Sequence, residues 1–232
     1  MSDLYILSGG AAQGLVTRLQ DRFTKKSGVT IKGTFGAVGM MKDKLLAGEP
    51  CDIMILSEAL IRDLTASGDL LAGSDVALGA VKTGVAVKTG DKPADVSTPD
   101  ALKATLRAAR GIYFPDPVKA TAGIHVMKVL KALGLDVELA DRLRPYPNGA
   151  TAMKVMADST EAGLVGCTQA TEILFTEGVE LVAMLPKEFE LATIYTAAVC
   201  TKAGQPQAAH DLIAMLASAE FAALRRDCGF EP

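Results

Sequence analysis

The chain has no tryptophan and few other aromatics, four Tyr and seven Phe in 232 residues. Stacking platforms for single-stranded nucleic acid are therefore poorly supplied. It also lacks any Lys/Arg block, and a formal net charge of −3 leaves no electrostatic footprint for a phosphate backbone. Nucleic acid is not an expected partner. No apolar run is long enough to cross a bilayer, so no membrane insertion is expected. The four cysteines, Cys51, Cys167, Cys200 and Cys228, form no CxxC pair and have no metal-ligand spacing. They read as small buried hydrophobes of a reducing compartment, and no metal site is expected. GGAAQG (9–14) lacks the GxGxxG order and no GxxxxGK[ST] occurs, so neither dinucleotide nor P-loop chemistry is indicated and no cofactor is expected. No charged-then-apolar leader precedes DLYIL. The sequence as it stands reads as cytoplasmic, or periplasmic where a leader has been removed.

What is present is a globular balance, with 49% apolar and 22% charged residues. Short apolar runs alternate with amphipathic stretches, the pattern of βα units that feed a largely parallel sheet. Strands are expected at 4–7, 29–35, 52–56, 111–114, 143–146, 162–167, 179–184 and 192–200, and extended chain over 76–90. Helices are expected at 11–26, 40–47, from Ser57 as cap to 67, at 99–108, 122–133, 137–142, 150–158, 206–217 and 219–228. Thr98-Pro99-Asp100 is a cap, a first-turn Pro and an acidic first-turn residue in the right order.

Three segments combine small residues, a strand end and a helix start: SGGAAQGL (8–15), FGAVGMM (35–41) and PVKATAGIH (117–125). Ligands of open α/β sheets bind beyond the carboxyl ends of strands, where a first helical turn offers unpaired N–H groups. An anion can be held there without Lys or Arg. Gly9, Gly10, Gly36 and Gly39 let backbone approach such a ligand, and Ser8 and Thr121 would add hydroxyl donors.

The stretch from LYILSGGAAQGL to GEPCDIMIL resembles the opening of the molybdate-binding proteins of ABC importers, which run strand, Ala/Ser-rich loop, helix, strand, "G.SG" loop, helix, "G.P.D", strand. FPDPVKATAGIHVMKVLKALGL (114–135) is similar to that family's "GdP...PaG" segment, NGATAMKVMADSTEAGLVGCTQATEI (148–173) to its "GeaD.GiVy.tda" segment, and FAALRRDCGFEP (221–232) to its end. The resemblance implies a two-lobed type II periplasmic-binding-protein fold of class α/β, each lobe a mostly parallel sheet flanked by helices, with a ligand cleft between. It places lobe 1 at 1–80 plus 196–232 and lobe 2 at 81–195, joined by crossover strands near 80–88 and 190–198. The ligand-binding set it implies is Ser8, Gly9, Gly10, Val38, Gly39, Thr121, Ala122, Gly123, Gly149, Cys167, Thr168, Gln169 and Tyr195.

Two departures bear on the ligand. Val38 stands where the family places a ligand-binding Ser, and Cys167 where a Tyr of "GiVY" donates to the oxyanion. The loss of two hydroxyl donors moves the expected ligand from molybdate toward an organic carboxylate. An ABC permease is the partner implied by a transport role. The alternative is an enzyme on the same scaffold, since a few relatives of these proteins, such as aconitate isomerase, shift a double bond in an unsaturated carboxylic acid. The expectation leans toward binding without chemistry. An enzyme here would use His125, in the first turn after TAG, or Cys167 as base, with helix starts as donors. Tyr195 is expected to line the cleft or support the hinge, Asp116 to order its loop, and His210 to lie on the surface.

Overall fold

The computed structural model describes residues 2–232. Two compact units are present, one made of the chain through Val81 together with Thr193–Pro232, the other of Lys82–Ala192. In the first unit, β1 (Asp3–Gly9) lies parallel to both β2 (Thr30–Gly36) and β3 (Ile53–Ser57). β9 (Ala192–Val199) closes that sheet antiparallel to β3. Between the parallel strands run α1 (Gln13–Ser27), α2 (Val38–Leu46) and α3 (Glu58–Ala66), and α8 (Pro206–Ala217) and α9 (Ala222–Asp227) end the chain. Leu15, Leu19 and Phe23, spaced at one helical turn, bury the inner face of α1 beside Leu4, Ile6 and Ile53. Gly28 ends α1 with φ of 73°, and its N–H returns to the Thr24 carbonyl at 2.9 Å. Asp52 is buried and its carboxylate accepts from the Tyr5 N–H at 2.7 Å and the Gln205 N–H at 2.9 Å. It thereby ties β1 to the start of α8.

In the second unit, β5 (Gly111–Pro115) lies parallel to β6 (Leu143–Tyr146) and β7 (Leu164–Gln169). β4 (Val76–Lys88) enters from the first unit and pairs antiparallel with β7 and with β8 (Val179–Met184). The helices are α4 (Pro99–Ala108), α5 (Thr121–Ala132), α6 (Gly149–Asp158) and the short α7 (Ala170–Phe175). GIYFP is buried at every position because both faces of β5 are covered. Ile112 and Phe114 pack with Leu102, Val126 and Leu130, while Tyr113 packs on the opposite face with Met153 and Met156.

Most expected elements are present within one or two residues, and four details differ. Ser57 precedes α3 but its side chain makes no capping bond. The helix expected at 137–142 is only a 3-10 turn, Ala140–Arg142, and the helix expected at 219–228 opens with another, Ala219–Phe221, before α9. α7 was not expected from the spacing, being only six residues long.

Candidate functional site

Parallel strands of each unit end where a helix begins, and the small residues singled out above lie at those junctions. In the first unit β1 passes at Gly9 into the turn Gly10–Ala12 and then into α1, with no side-chain cap at either step. A Cβ on Gly9 would come within 2.9 Å of both the Tyr195 ring and the Val38 side chain. Glycine there lets Val38, the first residue of α2, and Tyr195, on β9, close over the end of β1. Both side chains are buried in the core of this unit. α2 follows Ala37 without a side-chain cap, with Gly39 half-buried in its first turn. Ser8, expected as a hydroxyl donor, is fully buried and donates instead to the Gly9 carbonyl at 2.8 Å.

In the second unit α5 opens at Thr121 after Ala120, again without a side-chain cap. A Cβ on Gly123 would fall on the carbonyl oxygens of Pro115 and Asp116, so the first turn of α5 rests directly on backbone. Asp116 orders the intervening loop by accepting from the N–H groups of Val118 at 2.7 Å and Lys119 at 2.8 Å. Ala122 is buried and Thr121 half-buried. His125 Nε2 lies 2.7 Å from the Phe189 carbonyl. A carbonyl only accepts, so Nε2 carries the hydrogen, and any proton-accepting role falls to Nδ1.

The start of α6 is different because a side chain caps it and a carboxyl group lies against it. Asn148 caps it through a side-chain bond from the Thr151 N–H at 2.8 Å, and the Ala152 N–H donates to the Asn148 carbonyl at 3.0 Å. The backbone amides of Gly149 and Ala150 lie near the carboxyl group of Glu172, a residue of α7, and hold its pKa down. Glu172 accepts the Thr168 hydroxyl at 2.5 Å, and the Gln169 amide also holds its pKa down. A Cβ at position 149 would coincide with Glu172 Oε2 and Thr168 Oγ1, so glycine is what admits the carboxyl group. Glu172 is 5% exposed, and burial raises its pKa above the ordinary carboxylate range against the pull of its donors. Sequence reasoning missed Glu172. The signal was an acidic residue amid CTQATEIL, a stretch otherwise nearly uncharged.

Alternation along β7 separates the remaining candidates. Cys167 points into the core with Val85, Phe114 and Val126, and burial pushes its thiol up to about 12. It is therefore unsuited to act as a base near neutral pH. Thr168 turns to the other face, toward Glu172. Gln169 ends the strand and stands opposite Thr83 of β4 in the ladder. The Thr83 hydroxyl is buried without a partner, as is that of Thr171 in α7, and neither was singled out because Thr in such positions reads as ordinary packing. Among the described residues no group of three or more His, Cys, Asp or Glu is placed to hold a metal ion.

A family model described as bacterial extracellular solute-binding protein matches residues 4–231. The chain belongs to that family. Over 240 residues this solute-binding protein is 28% identical to an aconitate isomerase of a Pseudomonas species, spanning 100% of this chain and 88% of the relative. The periplasmic molybdate-binding protein of Azotobacter vinelandii superposes with a TM-score of 0.83 at 17% identity, covering 99% of each chain. The sulfate-binding protein SubI of Mycobacterium tuberculosis superposes with a TM-score of 0.77, also at 17% identity, covering 100% of this chain and 87% of SubI. The α/β fold of the two units is thus the fold of type II periplasmic solute-binding proteins. No helix among the described residues is long and apolar enough to cross a membrane.

Proposed function

We propose that this solute-binding protein captures a small organic carboxylate, with backbone amides at uncapped helix starts as its main donors. The observation that carries this reading is the contrast among helix starts. Those at Gly10, Val38 and Thr121 combine the lack of a side-chain cap with small residues and no acidic residue in the first turn, whereas α4 and α6 are capped by Thr98 and Asn148 and the uncapped α3 and α7 carry Glu58 and Glu172 there. Uncapped amides with small neighbours suit an anion through charge-assisted hydrogen bonds. The side-chain donors suited to a compact tetrahedral oxyanion are reduced: Val38 has none, Cys167 lies in the core, and Thr168 is committed to Glu172. Dye-monitored thermal unfolding with molybdate, tungstate, sulfate and a series of di- and tricarboxylates tests the reading. Saturable stabilisation by a carboxylate supports it, and a rise with molybdate alone sinks it.

A second reading has its own support in the full-length similarity to an aconitate isomerase. On that reading the bound acid undergoes a proton shift, with Nδ1 of His125 as acceptor and helix-start amides stabilising the developing enolate. Incubation of aconitate with the protein in deuterated water, followed by proton NMR, decides it: isomerised acid or deuterium in the carbon skeleton is found if the shift occurs, and neither is found if the protein only binds.

A further inference from the structure

The start of α6 is built like an anion site, yet the group lying in it belongs to the chain itself. We propose that Glu172 is a resident carboxyl ligand of that site, a specificity determinant that shuts compact oxyanions out of the α6 start. The inference deepens the carboxylate reading above, because it names what keeps a second acceptor group away from these amides.

Three observations converge on it. The carboxyl group accepts the Thr168 hydroxyl at 2.5 Å and lies beside the amides of Gly149, Ala150 and Gln169, where α6 starts and β7 ends. The space it fills exists because residue 149 has no Cβ. The group is enclosed, at 5% exposure, so an incoming anion would have to displace it. An incoming oxyanion would meet a carboxyl group that already occupies the space beside Gly149 and holds the Thr168 hydroxyl, and two acidic groups sharing one desolvated site repel. Substrates reaching this unit are therefore selected at the start of α5, where no side chain caps the helix.

Removal of the carboxyl group should convert the resident site into an open one. Wild type and Glu172→Ala are each titrated with sodium formate, with sodium chloride at matched ionic strength as control, and their thermal midpoints are read. The expected result is a saturable formate-specific rise in Glu172→Ala, with an apparent affinity at least about tenfold above that of wild type, by the mass-action relation between ligand and stability. Glu172→Gln refills the space and should show no formate-specific rise. If Glu172→Ala does not fold in chloride, refolding yield from denaturant is read instead, and formate should restore it where chloride does not. No formate-specific gain in either midpoint or yield overturns the proposal. Failure of the carboxylate reading looks different: wild type would ignore every di- and tricarboxylate while the formate response of Glu172→Ala persisted.

Discussion

Thr168→Val is the substitution whose consequence can be worked furthest from the structure. It keeps the shape of a residue that is completely buried and removes only the hydroxyl that donates to Glu172 at 2.5 Å. A hydrogen bond to a charged acceptor contributes about 1.5–3 kcal/mol, which at roughly 2–4 °C per kcal/mol for a chain of this size corresponds to a midpoint lowered by about 3–12 °C. The sign of the pH dependence follows from the same contact. Burial raises the Glu172 pKa, and Thr168 is the first of the donors opposing that rise. A carboxyl group with a raised folded-state pKa contributes stability that is complete below its unfolded value and is lost as pH climbs through the folded value. Without the hydroxyl the folded pKa climbs further, so more stability is lost at alkaline pH. The penalty of Thr168→Val is therefore larger at alkaline than at mildly acidic pH, while Thr168→Ser, which retains a donor, stays near wild type. Denaturant unfolding across that pH range measures it. A penalty within experimental error, or one independent of pH, would refute the assignment of this bond.

Two further substitutions separate structural from ligand-facing roles. Cys167→Ser places a hydroxyl among Val85, Phe114 and Val126 and should cost about 1–3 kcal/mol of stability without changing the rank order of ligands, read by unfolding and by binding titration. Gly123→Ala drives a methyl group onto the Pro115 and Asp116 carbonyls, with an overpacking cost of roughly 1–3 kcal/mol, and should also weaken anion affinity because the first turn of α5 must shift. An unchanged affinity in Gly123→Ala would remove α5 from the donor set.

The fold was largely legible because its cues are local. Apolar runs such as DIMIL, the Leu15, Leu19 and Phe23 spacing and the Thr98-Pro99-Asp100 cap each act within one element, and each element appears where its cue lies. The helix-start loops were legible for the same reason, since Gly and Ala at a strand end leave a visible mark. What the sequence hid depends on partners distant along the chain. Ser8 looks like a free donor until its bond to the Gly9 carbonyl is seen. Gly149 and Thr168 look like ligand contacts until Glu172 arrives from a six-residue helix too short to have a readable period. Cys167 differs from its neighbour Thr168 only by the alternation of β7, and a one-residue shift in reading such a strand exchanges core for site.

Isothermal titration calorimetry of the wild-type protein, with a tricarboxylate such as aconitate in one series and molybdate in another, tests the central claim most directly. The account predicts saturable heat with the carboxylate and none with molybdate at the same concentrations. Saturable binding of molybdate with no response to any carboxylate would contradict it.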